Sequence, residues 1–228
     1  MPRSARSTET VEVAVKEPRQ TLVDTVYLFI RQQLNLGKWR PGDRILDYQI
    51  AEDFQCTRMP VRQAMLRLVN EGFLEGTSRG FRVPVLTDAQ IRDVFEARRI
   101  LEPAAAAMVA RAGDAQLAEQ LNNAIEIAKT AIVALDSDIM FTANAAFRRA
   151  WLSQVQNKRV LELIENLADH ANQVRFSNVR DVANFGVTVV ELKKLAAALT
   201  SGCAETAQQA VYQFLVISEE FYFKRRDG

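Results

Sequence analysis

The chain has 228 residues, 48% of them hydrophobic and 25% charged, with a formal net charge of +1. That composition is ordinary for a globular protein and long enough for one large or two smaller domains. It excludes a polycation, and a single histidine, His170, excludes any multi-histidine metal or catalytic centre.

Two cysteines, Cys56 and Cys203, lie far apart and unpatterned. They predict no disulfide framework and fit a reducing cytoplasm. No stretch reaches the ~20 apolar residues of a membrane helix, and no apolar block follows Arg3 and Arg6, so neither a membrane partner nor a secretory signal is expected.

Residues 1–19 are rich in Ser, Thr, Arg and Glu, without core periodicity, and read as a disordered arm. Leu22, Val26, Phe29, Ile30 and Leu34 then recur at helical spacing, and Gly37 stops the helix. Trp39 to Ile45, with Pro41-Gly42-Asp43, reads as a turn entering a short strand. A second helix is expected from Asp47, as N-cap, to Phe54, and a third from Arg58 to Glu71, ended by Gly72. Phe73-Leu74-Glu75 and Gly80 to Val83 are β-prone, with a hairpin tip at Thr77-Ser78-Arg79-Gly80. Helix, helix, turn, helix, hairpin is the order of a winged helix-turn-helix, here assigned to residues 20–84, with 85–89 as linker.

Residues 90–228 read as all-helical, so the fold class is mainly α: a winged helix-turn-helix followed by a helical bundle. Thr87 and Gln90 form a capping box for a helix running to about Arg111. Asp114 opens the next helix, with Leu117, Leu121, Ile125, Ala128, Ile132 and Leu135 on one stripe. Ser137 is expected to cap a third. At least one more lies between Asn157 and Val182, and the last two run Thr188 to Leu199 and Ala204 to Phe223.

The third helix carries the clearest chemistry. Val61, Ala64 and Met65 point inward, leaving Thr57, Arg58 and Arg62 outward near its N-terminus, where a recognition helix meets base edges. Arginine pairs with guanine O6 and N7 or with phosphate. Arg67 lies a turn beyond, within reach of the DNA backbone. Ser78, Arg79 and Arg82 lie on the wing, where a basic tip tracks phosphates or a minor groove.

These residues resemble a known family. Thr57 to Phe73, TRMPVRQAMLRLVNEGF, is close to the S-R-T-P-V-R-E-A-L-R-R-L-x-x-E-G-L run of GntR-type bacterial regulators, and Pro41-Gly42-Asp43 resembles their P-G-x-x-L turn. Phe95 to Pro103, FEARRILEP, resembles the opening of the FCD effector domain of the FadR-like subfamily. The resemblance implies a homodimer that binds palindromic double-stranded DNA, acts as a repressor, and releases when a small metabolite enters the bundle. It implies base reading by Arg58 and Arg62, with Thr57 and the wing on the backbone. Tyr48 stands where some relatives have a DNA-contacting arginine.

Many such domains hold a metal through D-x-x-F-H, then E-H, then a histidine in the last helix. Here those positions are Asn144, Arg148, Leu192 and Phe214. None of these four can replace the missing carboxylate and imidazoles, so no metal and no cofactor is expected. Two arrangements remain. Arg148 and Arg98 bind an organic-acid effector directly, with Asn144 hydrogen-bonding it and Leu192 and Phe214 making the pocket apolar. Alternatively, Arg148 pairs with Glu102 or Glu191 as a structural ion pair and the helical domain is effector-free. Catalysis is not expected: there is no phosphate-binding glycine loop and no Ser/Cys–His pair, and Glu165 and Asp169 read as solvated.

Overall fold

A computed structural model describes residues 21–170, 174 and 181–224. The expected arm at 1–19, and the side chains of Asp169 and His170, lie outside them. Two apolar cores organise the described chain. The first gathers Val26, Ile30, Val61, Met65, Leu68 and Phe81. The second runs through the helical remainder, from Ile91 and Phe95 to Leu215.

The first unit begins with α1 (Leu22–Asn35), opened by a capping box between Thr21 and Asp24. Strand β1 (Arg44–Ile45) follows, then α2 (Asp47–Asp53) and α3 (Arg58–Asn70). The buried faces of α1 and α3 meet, because Val61, Ala64, Met65 and Leu68 recur at three- and four-residue intervals. Strands β2 (Glu75–Thr77) and β3 (Gly80–Arg82) form the wing hairpin. Strand β3 lies centrally in an antiparallel sheet of order β1-β3-β2, pairing Arg44 with Arg82 and Thr77 with Gly80. Gly42 has φ +89°, and its N–H donates to the Val83 carbonyl, so the Pro-Gly-Asp turn ties β1 to the end of the wing.

Several expectations shift here. The N-cap of α2 is Leu46, not Asp47, because the Asp47 carboxylate is taken up by arginines of α3. Phe73 and Leu74 are not strand. Their N–H groups fold back onto the Leu68 carbonyl and their side chains plug the core, so β2 starts at Glu75.

In the second unit, α4 (Asp88–Ala112) is the spine, and its Thr87–Gln90 capping box is present in both directions. Helix α4 thus begins within the residues 85–89 expected as linker. Then come α5 (Ala115–Ala134), α6 (Ser137–Leu152) and α7 (Lys158–His170). A 3₁₀ turn (Val182–Asn184) leads into α8 (Phe185–Leu199), and α9 (Ala204–Lys224) packs back along α4. Asp136, rather than Ser137, caps α6: its carboxylate accepts from the N–H groups of Asp138 and Ile139. Helix α8 begins at Phe185, ahead of the expected Thr188, since buried Phe185 anchors its first turn. The Arg31 guanidinium reaches from α1 to the Asn166 side chain on α7 at 2.9 Å and so joins the two units.

Candidate DNA-reading face and helical-domain cavity

Two places collect the singled-out side chains. The first is the outward face of α3. Thr57 is its N-cap, but the Thr57 hydroxyl caps no N–H, and no acidic residue lies in the first turn. The helix thus opens with a hydroxyl that caps no N–H and with no acidic residue in its first turn against the positive end of the dipole, an arrangement suited to phosphate. Arg58 Nη2 donates to both oxygens of Asp47, at 2.8 and 3.0 Å, and Arg62 Nη1 stands 3.8 Å from the same carboxylate. Asp47 is nearly buried, with 8% of its side chain exposed, whereas Arg58 is 63% exposed. A fixed acid therefore sets the direction of two solvent-facing guanidiniums. The sequence carried no sign of this role, because the partners lie eleven and fifteen residues apart across a turn.

The other predicted residues fall around this face. Tyr48 is half exposed at the start of α2. Ser78 and Arg79 are exposed at the wing tip, and Arg79 makes no ion pair among the described residues. Arg82 is exposed on β3 but pairs with Glu75 across the hairpin at 2.6 Å. Arg67 is engaged at the α1 edge of the helix. Its guanidinium stacks 4.0 Å from the Tyr27 ring centre and pairs with Asp24 and Glu71. At 100° per residue it sits about 140° around the helix from Arg62, on the edge that meets α1. Met59 and Gln63, which sequence reading passed over, are exposed on the outward face.

The second place is a cavity of about 90 Å³ among α4, α6, α8 and α9. It brings together Arg98, Asn144, Arg148, Leu192 and Phe214, with Glu102, Trp151, Thr188 and Glu191 also on its wall. Its electrostatic centre is Glu102, 2% exposed at the side chain. Arg98 Nε donates to Glu102 Oε1 at 2.7 Å. Arg148 Nη1 donates to Oε2 at 2.8 Å and Nη2 to Oε1 at 3.1 Å. Burial works against the Glu102 charge, but Arg148 and Arg98 more than offset it and hold the carboxyl at about 2. Burial also pulls the Arg98 guanidinium below its usual range, with Glu102 opposing and Arg148 adding to that effect. The ion pair weighed for Arg148 therefore exists, and its partner is Glu102. Glu191 pairs instead with Lys194 at 2.7 Å.

Arg98 retains unused capacity. Its side chain is 6% exposed, yet its two Nη groups donate to no protein atom among the described residues. The Asn144 amide and Thr188 hydroxyl on the same wall also lack a side-chain partner there. The positions that would ligate a metal do converge on this cavity, but they present an amide, a guanidinium, an isobutyl and a phenyl group. That donor set does not fit a metal ion. Among the described residues no three His, Cys, Asp or Glu side chains cluster as a metal site, and no helix is long and apolar enough to cross a membrane.

A winged helix-turn-helix with a positively charged recognition helix, joined to a helical bundle, defines a DNA-binding transcriptional regulator. Residues 22–83 match the bacterial regulatory proteins of the gntR family and residues 93–216 match the FCD domain; the chain belongs to the GntR family, in the branch that carries that domain.

Among curated relatives it is similar to the Nta operon transcriptional regulator of Aminobacter aminovorans, 29% identical over 61% of this chain and 65% of that one. That match spans slightly under two thirds of the relative's length. The transcriptional repressor RspR of Escherichia coli is 23% identical over 90% of both chains. The solved structure of McbR/YncC from E. coli superposes with TM-score 0.81 at 22% identity, covering 90% of this chain and 99% of that one. A regulator from Rhodococcus superposes at 0.73 and 24%, covering 89% and 97%. Both structural likenesses concern the fold.

Proposed function

We propose that this protein is a cytoplasmic homodimeric repressor. It binds a short palindromic operator in double-stranded DNA through α3 and the wing, and is controlled by a small organic acid held in the helical-domain cavity without a metal. On DNA, Arg58 and Arg62 read base edges. Thr57, Tyr48, Ser78, Arg79 and Arg82 position the backbone, while Arg67 keeps its place against α1.

The observation that supports the effector reading is the half-used Arg98 guanidinium. Its face lies 5.3 Å from the Phe95 ring centre, but among the described residues its Nη groups find no acceptor, and a buried cation so placed gains from one that arrives. Two arginines and Glu102 leave one net positive charge, and an incoming carboxylate would neutralise it. Asn144 and Thr188 supply further hydrogen bonds, and Leu192, Phe214 and Trp151 supply an apolar wall for the remainder of the acid.

A second reading is an effector-free regulator. It is favoured by the fact that Glu102 already satisfies Arg148.

Calorimetry of the full chain with a panel of carboxylates, after chelator treatment, separates the two. An acid that binds in chelator, is weakened at least tenfold by Asn144→Leu or Arg148→Ala, and releases the protein from a footprinted operator supports the first reading. Binding that requires added metal, or full affinity retained in both variants, overturns it. For the DNA arm, Arg58→Ala and Arg62→Ala are each expected to cost ~1–3 kcal/mol of specific binding in a gel shift. Unchanged specific binding in both would sink that assignment.

A further inference from the structure

Met59 is the most exposed large apolar side chain of the N-terminal unit, at 62%. It lies in the first turn of α3, the part of a recognition helix that faces base edges. At 100° per residue, Arg62 sits about 60° to one side of it, Gln63 about 40° to the other, and Leu66 about 20° away two turns along. The buried stripe of Val61, Ala64, Met65 and Leu68 lies on the opposite side. Met59 therefore occupies the midline of the outward face, between two side chains with base-reading chemistry, while Arg58 is tethered to Asp47 at one edge and Arg67 to α1 at the other.

A thioether has no donor and only a weak acceptor, so it cannot meet the polar edges of guanine, cytosine or adenine to advantage. The C5-methyl of thymine is the apolar feature that a base pair offers in the major groove. Methionine is long, unbranched and polarisable, and can settle on such a group without demanding one backbone position. Leu66 extends the apolar strip along the same line and is also exposed.

We propose that Met59 is a specificity-determining residue that contacts the C5-methyl of one thymine in each half-site, beside the bases read by Arg58 and Arg62. The assignment rests on the DNA-binding reading above and adds a base identity to it.

The full chain first selects its site from a pool of random duplexes. Each thymine of the selected site is then replaced in turn by uracil, which removes only the methyl group. Losing one buried methyl corresponds to about a 4-fold loss of affinity. Wild type should lose about that factor at one thymine per half-site, and Met59→Ala should bind thymine and uracil duplexes equally. If uracil is tolerated at every position by wild type, or if Met59→Ala keeps the same penalty, Met59 does not read the methyl. If the full chain selects no sequence at all, the DNA-reading face itself is wrong and the methyl contact falls with it. Met59 is exposed, so Met59→Ala is expected to leave the circular dichroism and melting of the chain unchanged, which separates lost recognition from lost folding.

Discussion

The buried cluster at Glu102 makes a prediction with a magnitude and a pH window. Glu102→Gln keeps the shape of the side chain and removes its charge, leaving Arg98 and Arg148 facing each other in the cavity wall. In the folded protein the Glu102 carboxyl is held at about 2, against an ordinary 4.5. That depression of about 2.5 units corresponds to ~3 kcal/mol favouring the ionised form in the fold. Removing one partner of a buried ion pair costs ~3–5 kcal/mol, which agrees. For a chain of this length the loss corresponds to a fall in melting temperature of about 6–12 °C. A depressed acid stabilises above its unfolded value and loses that contribution as pH falls toward its folded value. The gap between wild type and Glu102→Gln should thus be full above pH 4.5 and close progressively toward pH 2. Trp151, buried on the cavity wall, reports on this unit, and a Trp39→Phe background removes the other tryptophan. Urea titrations followed by Trp151 fluorescence give the difference directly. A gap under ~1 kcal/mol at neutral pH, or one that stays constant through the acid window, would refute the account of the triad.

Two further outcomes are expected. Arg67→Ala should lower the stability of the N-terminal unit by ~1–2 kcal/mol through loss of the Tyr27 stack and the Asp24 and Glu71 contacts, while leaving operator affinity and its salt dependence unchanged; weaker binding with a shallower salt dependence would return Arg67 to the DNA backbone. Thr87→Ala should cost ~1 kcal/mol in urea unfolding by removing the capping box at the start of α4, and Thr87→Ser should recover most of it.

The elements that the sequence displays plainly are those written in short-range code. The stripe Val61, Ala64, Met65 and Leu68 announces α3, and Thr87 with Gln90 announces the start of α4, because helix periodicity and capping act over three or four residues. The misplacements arise where a side chain has a distant partner or a neighbour with the same chemistry. An aspartate before a helix reads as a cap, yet Asp47 is taken by Arg58 across a turn. Asp136 and Ser137 are both good caps, and only the backbone geometry selects between them. Phe73 and Leu74 look like strand because apolar pairs after a glycine often are; here they close the end of α3 over the core. Arg67 follows Arg62 in the chain but sits about 140° around the helix from it, so its contacts with Tyr27 and Asp24 on α1 are not displayed by sequence order. The cavity residues were legible only through a missing pattern: nothing in the local sequence joins Asn144 to Phe214, seventy residues away, but positions that would share a metal must share a wall.

The DNA face and the cavity use one device at two depths. In each, a nearly buried carboxylate orients two guanidiniums, Asp47 for Arg58 and Arg62, Glu102 for Arg98 and Arg148. At Asp47 the arginines are more than half in water, so the pairing contributes little stability and is easily exchanged for a phosphate or a guanine. Asp47 then chiefly reduces the freedom that Arg58 and Arg62 must give up on binding. At Glu102 the arginines are 6% and 14% exposed, and the pairing cannot be broken cheaply. An anion entering the cavity therefore does better to use the Nη groups of Arg98, which have no acceptor among the described residues, than to displace Glu102. Such a ligand adds to the triad and tightens the contact between α4 and α6, because Arg98 and Glu102 lie on α4 and Arg148 on α6. The proposed effector would then act by stiffening that contact rather than by opening it.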